Sequence, residues 1–127
     1  PKPSSAASDV YKRQDLATAI ERTAFAWLEL GTKPDDAIAD LRTARALIAG
    51  YASAGPLSPD LIETVVRLLP LVHIEFALSE IDYFAGIVGD ADAARLAWEG
   101  YLLGHADWFL SGAGRAFLSA LGEGGGR

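Results

Sequence analysis

The chain has no cysteine, no methionine and no asparagine, and only two histidines, His73 and His105. The missing cysteine excludes disulfides, thiolate nucleophiles and thiolate metal ligands. Methionine is absent even at position 1, where proline stands, so the first residue is not read as a natural translation start. The histidines are far apart in sequence, and neither His-Glu-x-x-His nor Glu-x-x-His occurs, which removes the zincin and di-iron carboxylate patterns. Gly-x-Ser-x-Gly is also missing, and Ser79 and Ser111 have no His/Asp partners at a recognisable spacing. There is no run of basic residues. Net charge is −6 over 127 residues. Setting aside residues 1–14, with Lys2, Lys12, Arg13 and Asp9, leaves 8 basic against 16 acidic residues. Such a body does not neutralise phosphates, so no nucleic-acid partner is expected. No uninterrupted apolar segment spans a bilayer either. The greasiest stretch, 68–88, carries His73, Glu75, Glu80 and Asp82, and each acid at a bilayer centre costs about 2.5–3.5 kcal/mol. Residues 1–14 lack the apolar centre of a signal peptide. The expectation is a cytoplasmic protein with no membrane partner.

What is present is helical periodicity. Hydrophobic residues make up 50% of the chain, enough for a core. Residues 1–14, PKPSSAASDVYKRQ, show no amphipathic period and read as a disordered, non-native tail whose end looks like translated adapter sequence. From Asp15, taken as an N-cap, Leu16, Ile20, Ala24, Trp27 and Leu28 form a stripe that ends at Gly31. Pro34, followed by Asp35 and Asp36, opens a second helix carried by Ile38, Leu41, Ala44 and Ile48 to Gly50. Ser58-Pro59 caps a long third helix to about Val88, with Pro70 inside it and a kink expected there. Gly89-Asp90 stops that helix and caps a fourth, 91–110; a short fifth, 114–121, precedes a Gly-rich tail, 122–127, expected to be disordered. No alternating strand pattern is present. The predicted fold is all-α, about five helices in an antiparallel array, with 15–121 as its one folded unit.

The stretch 71–88 organises this array. On a helix it shows two apolar arcs, Ile74, Leu78, Ile81 and Ala85 on one side and Val72, Phe76, Tyr83 and Ile87 on the other. A helix with two apolar faces is expected to be packed on both sides. Between the arcs run two polar seams, Glu75, Ser79 and Asp82 on one and His73 with Glu80 on the other. Glu75, Ser79 and Asp82 share one side of the helix and are candidates to line a pocket for a polar or cationic ligand. The alternative is that they pair with Arg22, Arg42, Arg45 or Arg67, or face solvent. His73 and Glu80 are assigned a structural, hydrogen-bonded role. So is His105, whose His-Ala-Asp tripeptide lies inside a helix and lacks the asparagine that a phosphotransferase loop would carry at position 112, where glycine stands. Trp98, Tyr101 and Trp108 read as core.

Two stretches resemble a known family. Asp15-Leu16-Ala17, with the run to Leu30, resembles the Asp-Leu-Ala helix start that follows the catalytic core in aminoglycoside phosphotransferase/choline kinase-like small-molecule kinases. ALIAGYASAGPLSPDLIETVVRLLPLVHIEFALSEIDYFAGI, residues 46–87, resembles their later helical segment, with its Gly-Tyr, Pro-Leu-Ser turn and long helix. The resemblance implies a bacterial, ATP- and magnesium-dependent phosphotransferase of protein-kinase-like fold acting on a small-molecule hydroxyl acceptor. It assigns this chain to the C-terminal helical subdomain, on the acceptor-substrate side. The family's nucleotide lobe, catalytic base and metal-binding groups find no match here. The expectation is therefore a fragment inactive alone, whose partner is the N-terminal kinase core of the same protein. It has no catalytic residue, no metal ligand and no cofactor of its own. Asp15 carries a structural role in this assignment, Pro70 carries one from its place inside the long helix, and Glu75, Ser79 and Asp82 are candidates for substrate contact from helix geometry alone. The contrasting expectation is a self-contained helical binding or dimerisation module without catalysis.

Overall fold

A computed structural model describes residues 3–125 except Pro56, and the side chains of residues 13–123 except that proline. Among the described residues five helices make an all-α fold, with two isolated bridges but no strand. Helix α1 spans Pro3–Thr23 and α2 spans Leu41–Ala54. Helix α3 runs over Pro59–Asp82 and continues without a break into a π-helical turn, Tyr83–Val88. Helix α4 is equally continuous, with α-helical ends at Ala91–Leu96 and His105–Leu110 around a π-helical stretch, Ala97–Gly104. Helix α5 spans Gly112–Gly125.

The caps explain most of these boundaries. Ser58 Oγ accepts from the Leu61 amide, and Pro59 occupies the first turn, where its missing N–H is not needed. Asp40 caps α2 by accepting from the Arg42 and Thr43 amides and the Thr43 hydroxyl; that hydroxyl, then the Thr43 amide, holds its carboxyl below the usual range. Gly89 ends α3 at φ 75°, a left-handed conformation that glycine adopts without strain, and Asp90 then caps α4 through the Ala93 amide.

Both chain ends depart from expectation. Asp15 is not an N-cap, because α1 is already helical from Pro3 and the amides near Asp15 bond within the helix. The expected disorder over 1–14 is thus replaced by helix from Pro3 on, with residues 1 and 2 outside the described residues. At the other end α5 continues past Leu121 to Gly125, and residues 126 and 127 lie outside the described residues. Leu121 is fully buried and Arg45 Nη2 donates to the Ala120 carbonyl at 3.2 Å, so this turn is tied to the core and to α2.

The largest correction concerns residues 24–40, expected to be helical but largely irregular. Two backbone hydrogen bonds, Ala26 to the Ile38 carbonyl (2.8 Å) and Asp40 to the Ala24 carbonyl (2.7 Å), fold the segment on itself. Two 3-10 turns, Trp27–Glu29 and Asp35–Ala37, are all the helix it keeps. Its buried members, Ala24, Phe25 and Ile38, join the core from this loop.

That core is built from Leu16, Ala17 and Ile20 of α1, Ala44 and Ile48 of α2, Leu61 to Leu69 of α3, Trp108 and Phe109 of α4, and Phe117 and Leu121 of α5. On α3 the buried row is Leu61, Ile62, Val65, Leu69, His73 and Ala77, one face at i, i+3/i+4 spacing. It passes through His73, between the two expected arcs. Leu78, Tyr83, Ala85 and Ile87 from those arcs are exposed, so the far half of α3 is not packed on both sides.

Candidate functional site

Three buried titratable side chains meet behind the 24–40 loop: Glu21 from α1, His73 from α3 and His105 from α4. They lie far apart in sequence and on three helices, so no local motif announces them. Each is on the inward face of its helix, in register with Ala17 and Ile20 on α1, Leu69 and Ala77 on α3, and Trp108 and Phe109 on α4.

The hydrogen bonds tie the two rings to the carboxylate and to each other, and which ring nitrogen donates depends on the tautomer. His73 Nδ1 lies 3.0 Å from Glu21 Oε1, and Trp27 Nε1 donates to that same oxygen at 3.1 Å. Two donors converging on one oxygen suit a carboxylate. His73 Nε2 faces the Tyr101 carbonyl at 2.7 Å and His105 Nδ1 at 3.0 Å. A carboxylate and a carbonyl both accept, and the Tyr101 carbonyl takes a proton from His73 Nε2 in the arrangement that leaves no acceptor facing it. His105 Nδ1 is then an acceptor, and its own proton sits on Nε2. Burial pushes the pKa of His105 down from 6.5 to about 4, and electrostatic repulsion by the neighbouring His73 ring adds to the shift. His105 is therefore neutral at pH 7, in agreement with that proton arrangement. The Tyr101 carbonyl belongs to the π-helical stretch of α4, where the wider turn loosens the usual α-helical bonding.

Aromatic rings hold this network in place. Trp27 is sandwiched between Phe25, stacked at 4.5 Å, and His105, stacked at 4.2 Å, with Trp108 against its edge at 5.5 Å. Trp108 Nε1 donates to the Asp35 carbonyl at 2.8 Å and so anchors the far side of the same loop. The stack explains why residues 24–29 leave the helix: seating the Trp27 indole between two rings and on Glu21 satisfies its area and its N–H together.

Two cavities flank Trp27. One, about 530 Å³, is lined by Glu21, Phe25, Trp27, Phe76 and Tyr101, among others. The second, about 500 Å³, is lined by Trp27, Leu30, Leu96, Tyr101, Gly104 and His105, among others. A third, more polar groove of about 260 Å³ lies between α1 and α3, lined by Thr18, Glu21, Arg22, Val72, Glu75, Phe76 and Ser79. Arg22 lies over the Phe76 ring at 5.2 Å in this groove.

The structure brings Glu75 and Ser79 together in that groove, both exposed, with Ser79 Oγ donating to the Glu75 carbonyl at 3.1 Å. Asp82 is exposed and does not line it. The arginine pairings weighed for these carboxylates do not form among the described residues: Arg67 pairs with Glu63 at 2.8 Å and Arg45 reaches α5. His73 is packed and hydrogen-bonded, with Glu21 rather than Glu80 as its carboxylate. Pro70 lies inside α3. Trp108 is core, whereas Trp98 is 46% exposed and Tyr101 walls the cavities. Glu21 had no signal beyond its place on the Leu16–Ile20 stripe, where a carboxylate interrupts the apolar face. No group of three or more metal-ligating side chains is assembled among the described residues, and no helix there is long and apolar enough to cross a membrane.

No protein family, curated protein or solved structure matches this chain.

Proposed function

We propose that this chain is the acceptor-substrate side of an aminoglycoside phosphotransferase-like small-molecule kinase, working with a nucleotide-binding core outside these residues. The observation that carries the reading is that the two resembling stretches, residues 15–30 and 46–87, pack on each other through α1 and α3 and jointly line one polar groove. Glu75, Ser79 and Arg22 there give a small polyhydroxyl or amino-bearing acceptor hydrogen-bond partners of both signs. ATP and magnesium would be held by the core, as phosphoryl transfer depends on groups that position the phosphates and neutralise their charge. The parent enzyme in this reading is bacterial and cytoplasmic.

The test uses the full-length protein, recovered from the reading frame upstream of Asp15. Glu75→Gln and Ser79→Ala are expected to raise KM for the hydroxyl acceptor several-fold while leaving KM for the nucleotide unchanged. An upstream sequence with no nucleotide lobe and no His-x-Asp loop would overturn the proposal, as would nucleotide-dependent phosphorylation by residues 15–125 alone.

A self-contained binding module is the second reading, supported by a buried polar network whose Glu21, His73 and Trp27 groups are satisfied within the chain. Sedimentation and hydrogen exchange separate the two. A monodisperse, well-protected species favours the module, and a self-associating chain with a weakly protected far half of α3 favours the fragment.

A further inference from the structure

We infer that the cavity walled by Trp27, Leu30, Leu96, Tyr101, Gly104 and His105 is a binding site for a small, neutral, flat molecule that accepts one hydrogen bond from His105 Nε2. This site is distinct from the α1–α3 groove, and the inference does not rest on the kinase reading.

The donor is the first observation. His105 is 3% exposed, its Nδ1 is engaged by His73, and its Nε2 has no partner among the described residues. Among the described residues Nε2 is not one of the enclosed side-chain polar atoms left without a partner, and His105 lines this cavity. A ring so deeply set, with one nitrogen fixed and the other in reach of a cavity it lines, presents a single oriented N–H. With His73 Nε2 donating to His105 Nδ1, the His105 proton is on Nε2, in the way an outer partner orients a metal-bound or catalytic imidazole.

The walls set the rest of the ligand's chemistry. No lysine, arginine, aspartate or glutamate lines this cavity, so a charged ligand would lose its hydration without gaining an ion partner. The Trp27 and Tyr101 side chains and the Leu30 and Leu96 side chains favour an apolar body, and aromatic walls favour a flat one. Gly100 and Gly104 leave part of the wall without side chains; a Cβ on Gly104 would lie 3.8 Å from Leu30 Cδ2. A volume of about 500 Å³ accommodates a single-ring compound. Aryl ketones, aryl amides and similar neutral carbonyl compounds fit this description.

Acetophenone is the probe and benzoate its charged counterpart, with the imidazole ¹⁵N resonances of His105 followed by NMR at pH 7. Acetophenone is expected to shift the Nε2 resonance saturably and Nδ1 much less, with benzoate binding at least about tenfold more weakly. Gly104→Leu, which fills the cavity, and Leu96→Trp, which narrows it from a position 69% exposed and so leaves the core intact, are each expected to weaken acetophenone about tenfold. Absence of a saturable Nε2 shift overturns the inference. So does benzoate binding as tightly as acetophenone, or unchanged affinity in Leu96→Trp.

Discussion

The two halves of α3 differ in a way their composition does not foreshadow. From Leu61 to Ala77 the helix buries an unbroken row, and from Leu78 to Val88 no residue is buried, although Leu78, Tyr83, Ile87 and Val88 are as apolar as the residues before them. The near half carries His73, which touches Trp27 of the loop and Tyr101 and His105 of α4, and α3 as a whole packs on α1 and α5. The far half ends at the Gly89 turn beside Ala91–Leu96 of α4, with Leu78, Tyr83, Ile87 and Val88 exposed. Hydrophobicity states what a helix can bury; which part is buried depends on where its neighbours end. In the proposed kinase, the uncovered half is the part with surface left to offer a core.

The sharpest way to break this contrast is at His73, where the near half is most committed. His73→Leu leaves Glu21 buried with only the Trp27 N–H and leaves the Tyr101 carbonyl without its donor. The expected loss is about 3–5 kcal/mol in urea unfolding; a loss below about 1 kcal/mol would mean that water replaces the ring at little cost. Leu69→Ala, at a fully buried site, is expected to cost about 2–5 kcal/mol. Equal losses for Leu69→Ala and Leu78→Ala would erase the distinction between the halves.

A pH titration sharpens it next. His105 has its folded-state pKa depressed to about 4 from 6.5, so between these values the unfolded chain binds the proton that the folded chain refuses. The stability that the neutral His105 contributes is therefore complete above about pH 6.5 and falls as pH drops towards 4, by on the order of 2 kcal/mol after allowing for water on the cavity side of the ring. Asp40 also loses stabilisation on acidification, but its lowered pKa puts that loss below 3.8, outside the window. His105→Gln is expected to flatten the slope between pH 4 and 6.5, as measured by thermal melts at several pH values. Ser58→Ala, which removes the α3 cap, is expected to cost about 1 kcal/mol. The smallest effect belongs to the far half: Ile87→Ser, at a position 76% exposed, is expected to change the stability of the isolated chain by less than about 0.5 kcal/mol.

Much of the helical skeleton was legible. The starts at Ser58 and Asp90 and the stop at Gly89 came from residues whose side chains or φ angles act on the nearest turn. The chemistry of a cap is local, so reading it needs no tertiary contact. The α1 start and the 24–40 loop were not legible for the opposite reason. Trp27 and Leu28 continue a good helical stripe, yet Trp27 is taken out of the helix to stack between Phe25 and His105, and Leu28 is left 86% exposed. A stripe records spacing and not the partner a ring will find. The same limit applied to the site. Glu75, Ser79 and Asp82 stood out because they share a helix face, but only two of them line one groove.

By itself, then, the sequence determined an all-α chain of five helices and the ends of its longest one, since periodicity and capping act within a few residues. It also singled out His73 as a packed, hydrogen-bonded side chain. Only the tertiary structure decided that its partners are Glu21 and His105, brought from positions 52 and 32 residues away. It alone left His105 with one nitrogen unpartnered among the described residues and beside a cavity, and it alone uncovered half of α3. Those outcomes depend on how helices cross, and no periodicity along one helix encodes the distance to another.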